Sequence, residues 1–385
     1  MRLFFAAICC VTLGLLVIGM PVHAYDSKAR ALFVVDYDTG TVLLEKNADQ
    51  PLPPASMSKL MTINMVFEAL KEGRLGLTTK FPVSTKAWQM GGSKMFLKEG
   101  DSVSVEDLIR GVVVQSGNDA CIVLAEGMAG TEAEFANRMT KRARQLGMTN
   151  SIFANSTGWP HPDHRMSARD LVFIARNMIQ EFPEYYTYFA EKTFEWEGIV
   201  QDNRNPLLNL DIGADGLKTG HTEEAGYGLV GSVEQDGRRI VFMLTGLASA
   251  KDRAIESERL TSWAFREFST ETLIEKGAVV TQADVWLGDA DTVDLVADED
   301  LNILVPYADR DDIKVNVVYQ GPIQAPIEAG TKVAEMIVTV PGLSDRVFDL
   351  HAGSTVSSGG FLSRVFASAQ ILSRKIVDAA RSNGQ

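Results

Sequence analysis

Hydrophobic positions change period several times along the chain, and each change marks a different kind of element. Leu3 to Met20 is an apolar run behind one positive charge at Arg2, closed by Val22-His23-Ala24. That layout predicts a secretory signal cleaved after Ala24. Ala31 to Val35 reads as a strand, Asp38-Thr39-Gly40 as a turn and Thr41 to Leu44 as its return, together a hairpin. Pro51, Pro53 and Pro54 break the chain before a helix from about Ser56 to Leu70. Leu60, Met61, Ile63, Met65, Val66 and Phe67 make that helix apolar on most sides, so it is expected to be buried centrally. Helical periodicity dominates from Val105 to Glu181, punctuated by Gly147, Gly158, Pro160 and Pro162. Strand patterns return at Gly226 to Val233 and Arg239 to Gly246 around a turn at Asp236-Gly237, and a helix follows from about Ala250 to Phe268. Strands at both ends with helices between predict one α/β domain whose sheet gathers sequence-distant strands.

From Thr272 the texture changes. Short alternating runs such as Thr292-Val293-Asp294-Leu295 and Glu335-Met336-Ile337-Val338-Thr339-Val340 are separated by turn residues, which predicts a small all-β sandwich. After a flexible Ser354 to Gly360, Phe361, Leu362, Val365, Phe366, Ala369, Leu372 and Ile376 recur at helical spacing. Arg364, Arg374, Lys375 and Arg381 lie among them with only Asp378 opposing. A cationic amphipathic helix of this kind is expected to lie on a membrane surface. The predicted organisation is therefore 1–24 signal peptide, 25–270 first domain, 271–350 small β-sandwich and 351–385 spacer with an anchoring helix.

Composition narrows the function classes. At 385 residues, 45% hydrophobic and 23% charged, the chain is an ordinary globular one, long enough for two domains. The net charge of −13 argues against a nucleic-acid partner. Cys9 and Cys10 fall within the signal, which leaves Cys121 alone in an apolar helical stretch. An exported protein with one thiol has no internal disulfide, so Cys121 is expected to be a buried structural thiol. His161, His164 and His351 lack metal-ligand spacing and are read as surface or loop residues. No metal and no cofactor is expected.

Three short motifs carry chemistry: Ser56-Met57-Ser58-Lys59, Ser116-Gly117-Asn118 and Lys218-Thr219-Gly220. Taken singly, each has a bland reading. Ser56 and Ser116 could cap helices, and Lys218 could be an exposed turn lysine. Together they supply a serine acyl-transfer site. Residues three apart share a helix face, so the Lys59 amine lies one turn from the Ser56 hydroxyl. Burial disfavours an ammonium, and a neutral Lys59 can take the Ser56 proton. Lys218 to Gly220 reads as an edge strand beside the nucleophile, onto which an extended peptide can add. The backbone N–H groups of Ser56 and His221 are the expected oxyanion hole.

The set S-x-x-K, S-x-N, K-T-G resembles that of the penicillin-binding proteins and serine β-lactamases. With S-G-N as the second motif, the stretches Met95-Phe96-Leu97-Lys98 and Gln115 to Cys121, and Asn203-Arg204-Asn205 upstream of K-T-G, the chain resembles the low-molecular-mass D-alanyl-D-alanine carboxypeptidases over essentially its full length. The resemblance implies an α/β (α+β) β-lactamase/transpeptidase-like catalytic domain with an antiparallel sheet and a helical subdomain, ahead of the small β-sandwich. It implies roles as well. Ser56, Lys59 and Ser116 would be catalytic, with Ser116 passing a proton between the lysines and the leaving amine. Asn118, Lys218, Thr219, Gly220 and Arg204 would bind substrate, Arg204 helping to hold a carboxylate. The expected activity is removal of the terminal D-alanine from peptidoglycan stem pentapeptides ending in D-Ala-D-Ala, with β-lactams as covalent inhibitors at Ser56. The expected place is the periplasmic side of the cytoplasmic membrane. Three alternatives stay open: a peptidoglycan DD-endopeptidase, a weak β-lactamase and a non-turnover β-lactam sensor. No E-x-x-L-N sequence, the deacylation device of β-lactamases, lies between the second and third motifs. Trp159-Pro160-His161-Pro162 departs from the family pattern as a stiff loop able to alter substrate preference.

Overall fold

The computed structural model describes residues 25–360; the expected signal segment and the amphipathic tail helix lie outside them. An antiparallel sheet of five strands organises the first domain. Its strands are β1 (Ala31–Asp36), β2 (Val42–Lys46), β3 (Ala214–Thr222), β4 (Gly226–Gln235) and β5 (Arg238–Leu247), in the spatial order β2-β1-β5-β4-β3. The expected hairpins β1–β2 and β4–β5 are both present, and β1 pairs with β5 across the sequence gap.

Both faces of this sheet are covered, which is why Ala31 to Val35 is a continuous apolar run and not an alternating one. Alternate residues still part company. Ala31, Phe33, Val35, Val241 and Met243 join one core cluster, while Leu32, Val34, Ile240, Phe242 and Leu244 join another. The first cluster holds the helical half of the domain: α1 (Lys59–Lys71), α2 (Val105–Val113), α3 (Asn118–Ala129), α4 (Glu132–Gln145) and α5 (Ala168–Glu181). The second packs α6 (Ala250–Glu267) against β4 and β5 through Leu260 and Ala264. Helix α1 runs through the middle of the helical half, and Leu60, Met61, Val66 and Phe67 are completely buried. Side-chain caps from Ser104, Thr131, Ser167 and Ser249 start α2, α4, α5 and α6 by accepting a backbone N–H of the first turn.

Phe268–Ile274 (β6) opens the β-rich second domain. It pairs with Leu301–Pro306 in a two-stranded sheet. A six-stranded sheet of Val279–Trp286, Thr292–Val296, Lys314–Val318, Ile323–Gln324, Lys332–Thr339 and Arg346–Ala352 packs with it over a shared core of Leu295, Ile303, Met336 and Leu350. The sandwich reading therefore holds, in a lopsided form. Leu304 and Leu343 reach into the cluster beneath α6, and Arg346 donates to the Thr39 carbonyl in the β1–β2 turn. The expected flexible spacer is different. Val356 is buried and exchanges two backbone hydrogen bonds with Ile327, and Gly359 N–H donates to Leu287 O at 2.7 Å. Those bonds tie residues 354–360 to the β-domain. No helix of the described residues is long and apolar enough to cross a membrane.

Candidate active site

The nucleophile candidate sits where the chain changes character. After the prolines, Ala55–Ser58 form one 3₁₀ turn that runs into α1 at Lys59. Ser56 does not cap the helix. Its Oγ lies 2.9 Å from Lys59 Nζ, as three-residue spacing on one face requires. Lys59 is wholly buried. Its Nζ also reaches Asn118 Oδ1 at 2.8 Å and the Thr157 carbonyl at 2.6 Å. Burial brings its pKa down from 10.5 to about 8, Cys121 and Asp119 working against that shift and Arg204 with it. Cys121 is fully buried, as expected, and burial pushes its thiol up to about 12.

Ser116 precedes α3 with φ +58° in the left-handed region, where a non-glycine residue is held only by its surroundings. It is 1% exposed and its side chain borders the cleft. Asn118 is pinned on its other side, Nδ2 donating to Gly91 O at 2.8 Å. The third motif lies on β3, the outer strand of the sheet on the nucleophile side, as its edge-strand reading requires. Lys218 is buried, with Nζ donating to Thr219 O at 3.3 Å. Burial lowers its pKa well below the ordinary lysine value, and Lys59 and Arg204 add to the effect. Gly220 also meets a packing demand. A Cβ there would stand 3.0 Å from Met57 Cγ and from Pro54 O, so this glycine lets β3 press against the turn that carries Ser56. The His221 ring is exposed and stacks on Tyr227 at 3.8 Å.

A cleft of about 490 Å³ joins Ser56, Ser116, Thr219, Gly220 and His221 with Arg204, Ser93, Tyr227 and Arg253. Arg204 Nη1 donates to Ser93 Oγ, and Arg253 Nη2 to Arg204 O at 3.4 Å. Burial lowers the pKa of both guanidinium groups. Among the described residues, neither arginine nor either lysine of the motifs has a carboxylate partner within ion-pair distance. Unpaired, partly desolvated cations around a cleft are a ready receptor for a carboxylate. The motif reading missed Ser93, Arg253 and the Thr157 carbonyl. Only the turn-forming run Asn155-Ser156-Thr157-Gly158 signalled the last of these. His164 lies on a loop as expected but is buried, and burial lowers its pKa to about 4.

A buried lysine amine against a serine hydroxyl at the edge of a cationic cleft is the arrangement that serine acyl transfer with a lysine base would require. Comparison with known proteins narrows the class. The family profile described as D-alanyl-D-alanine carboxypeptidase matches residues 19–247, and that of the penicillin-binding protein 5 C-terminal domain matches residues 268–358. The D-alanyl-D-alanine carboxypeptidase DacC of Escherichia coli is 38% identical over 353 residues, 90% of this chain and 88% of its own. Penicillin-binding protein 5 of Haemophilus influenzae superposes with a TM-score of 0.76 at 35% identity, covering 86% of this chain and 98% of that one. Penicillin-binding protein D2 of Listeria monocytogenes, solved in an ampicillin-bound form, gives a TM-score of 0.57 at 30% identity over 62% of this chain and 97% of its own. The chain belongs to the D-alanyl-D-alanine carboxypeptidase family, a group of serine peptidases among the low-molecular-mass penicillin-binding proteins.

Proposed function

We propose that this enzyme removes the terminal D-alanine from peptidoglycan stem peptides ending in D-Ala-D-Ala, through an acyl-enzyme on Ser56, and that penicillins acylate the same serine. The observation that carries the reading is the contact of buried Lys59 Nζ with Ser56 Oγ at 2.9 Å. Neutral Lys59 takes the hydroxyl proton as Oγ attacks the carbonyl carbon of the penultimate D-Ala. The backbone N–H groups of Ser56 and His221 receive the oxyanion. Ser116, which borders the same cleft, relays the hydroxyl proton from Lys59 to the departing amine as the C–N bond breaks, and D-alanine leaves. Water then attacks the ester carbonyl and gives a proton to neutral Lys59, which passes it to Oγ as the C–Oγ bond breaks. In a β-lactam the broken C–N bond belongs to a ring, so the leaving amine stays tethered and release is slow.

Lys218, Thr219, Arg204 and Arg253 are the proposed holders of the terminal carboxylate. Asn118 steadies Lys59 through Oδ1 and keeps an amide N–H for the substrate. The proposed domain plan is a signal peptide over 1–24, a catalytic domain over 25–270, a β-domain over 271–350 and a C-terminal anchor to 385. It would place the enzyme outside the cytoplasmic membrane and peripherally attached to it. That topology accords with the cell-wall substrate and with the cationic amphipathic pattern of the tail.

Free D-alanine released from an N-acylated L-Lys-D-Ala-D-Ala peptide tests the reaction, with the Ser56→Ala variant beside wild type. Release that disappears in the variant is expected. A folded wild type that binds penicillin covalently but releases no D-alanine would point instead to the sensor alternative.

A further inference from the structure

The loop behind Lys59 is built more heavily than a surface connection needs. Ser156 and Thr157 are buried. Glu132, the first residue of α4, turns a carboxylate inward and is 9% exposed. Its Oε1 accepts from Ser156 N–H at 3.0 Å and from Ser156 Oγ at 2.8 Å. Its Oε2 pairs with Lys86 Nζ at 2.7 Å. On the other side the Ser156 carbonyl accepts from Thr62 Oγ1 at 2.7 Å, one turn along α1 from Lys59. Asn155 Oδ1 gathers the N–H groups of Thr157, Gly158 and Trp159 at 3.2, 2.8 and 3.1 Å. The product of all this is the position of one atom, the Thr157 carbonyl oxygen 2.6 Å from Lys59 Nζ.

That atom matters because of how many hydrogens a lysine has. An ammonium donates three hydrogen bonds, whereas the neutral amine donates two and accepts one. Lys59 Nζ has three oxygen neighbours: Ser56 Oγ, Asn118 Oδ1 and Thr157 O. The two carbonyl oxygens cannot donate. In the neutral amine they take both N–H groups, and the lone pair is left facing Ser56 Oγ, the one neighbour with a proton to give. Were Thr157 O displaced, a hydrogen would be free to turn toward Ser56 and the lone pair away from it.

We infer that Glu132 is a positioning residue for the acylation step: through Ser156 it fixes the Thr157 carbonyl that aims the Lys59 lone pair at Ser56. The inference rests on Lys59 being the base for Ser56. Glu132 touches neither substrate nor the reacting atoms, so it has no catalytic role of its own. The titratable groups facing Lys59 are Cys121 and Asp119 from α3, Lys218 from β3, Arg204, and His164 from the loop that carries Thr157; with the thiol pushed up to about 12 and the imidazole brought down to about 4, Cys121 and His164 are neutral near pH 8. Glu132 itself acts on Cys121 and His164, so its charge and its hold on the loop are separated by the neutral Glu132→Gln variant: a midpoint that shifts in Glu132→Ala and not in Glu132→Gln reports the loop.

The test is acylation by a chromogenic β-lactam over a range of concentrations and pH, with labelled active sites counted to normalise for folded protein. Glu132→Ala should slow the limiting acylation rate by about 10- to 100-fold, the scale of a sub-ångström to ångström misplacement, with the half-saturating concentration within about twofold of wild type. Its pH midpoint should fall, because the ammonium loses an acceptor. Glu132→Gln keeps an oxygen for Ser156 and should hold the rate within about threefold of wild type. A Glu132→Ala rate and midpoint equal to wild type would overturn the inference. So would a Glu132→Gln variant as slow as Glu132→Ala, because the ion pair to Lys86 would then be what matters. A wild type that fails to acylate, or a Lys59→Ala variant that acylates normally, would instead sink the underlying assignment of the base.

Discussion

At the scale of single residues, burial makes Lys59 a usable base. An ordinary lysine at 10.5 would be almost wholly protonated at neutral pH; this one sits at about 8. The neutral fraction then rises about tenfold per pH unit below that value and levels above it. Acylation by a penicillin should follow the same curve, climbing toward pH 8 and flattening beyond, which a stopped-flow pH series will show. Lys218 is also depressed and interacts with Lys59, so the midpoint belongs to the pair. The same shift carries a stability signature. An unfolded chain keeps the lysine proton up to the ordinary value, while the folded one releases it near 8. Between pH 8 and 10.5 folding therefore expels a proton, and this residue's contribution to stability increases with pH.

Among the elements, the 3₁₀ turn and the loop against it form the tightest joint of the site. Gly158, at φ +77°, lies so close to the nucleophile turn that an added Cβ would stand 1.9 Å from the Ala55 carbonyl oxygen. Gly158→Ala must push that turn, and with it Ser56. The expected result is a loss of acylation of about 100-fold or more and a melting temperature lowered by several degrees; unchanged kinetics would show that the turn has slack. Such a joint is hard to read in a sequence. The glycine was visible as punctuation, but nothing in the residues near it names Ala55, about a hundred positions earlier, as its neighbour. Arg253 is the same case. It stands in the first turn of α6 with no motif around it, and enters the cleft only because β5 returns beside β4. Local periodicity, by contrast, was informative wherever one element meets a whole layer: the hairpins, the buried α1 and the alternating strands of the β-domain could be read directly. The chemistry was legible where it is carried by short spacing, as from Ser56 to Lys59. It was illegible where a backbone carbonyl such as that of Thr157 does the work.

For the molecule as a whole, the two domains share a boundary with real substance. Phe268, Leu304 and Leu343 lie in the cluster beneath α6, and Arg346 binds the Thr39 carbonyl. A chain ending at Glu267 should keep penicillin acylation on soluble β-lactams, because every residue of the cleft lies before that point. It should melt lower than the full chain, having exposed apolar surface of about 2 to 4 kcal/mol at this joint. Calorimetry and acylation kinetics on the two chains separate these outcomes, and loss of acylation in a folded truncation would assign the β-domain a part in the site.

The register of the sheet places that joint with some care. Asp36, at the β1–β2 turn where Arg346 docks, pairs with Ile240, and Ile240 with Val233. Lys218 pairs with Val230 and Gly220 with Gly228, farther along the same strands. The cleft and the β-domain thus sit toward opposite ends of one rigid sheet. If the proposed anchor holds the chain beyond residue 360, the β-domain stands between the attachment and the cleft. The thickness of that domain would then act as a ruler, setting how far from its attachment the cleft can meet a peptide.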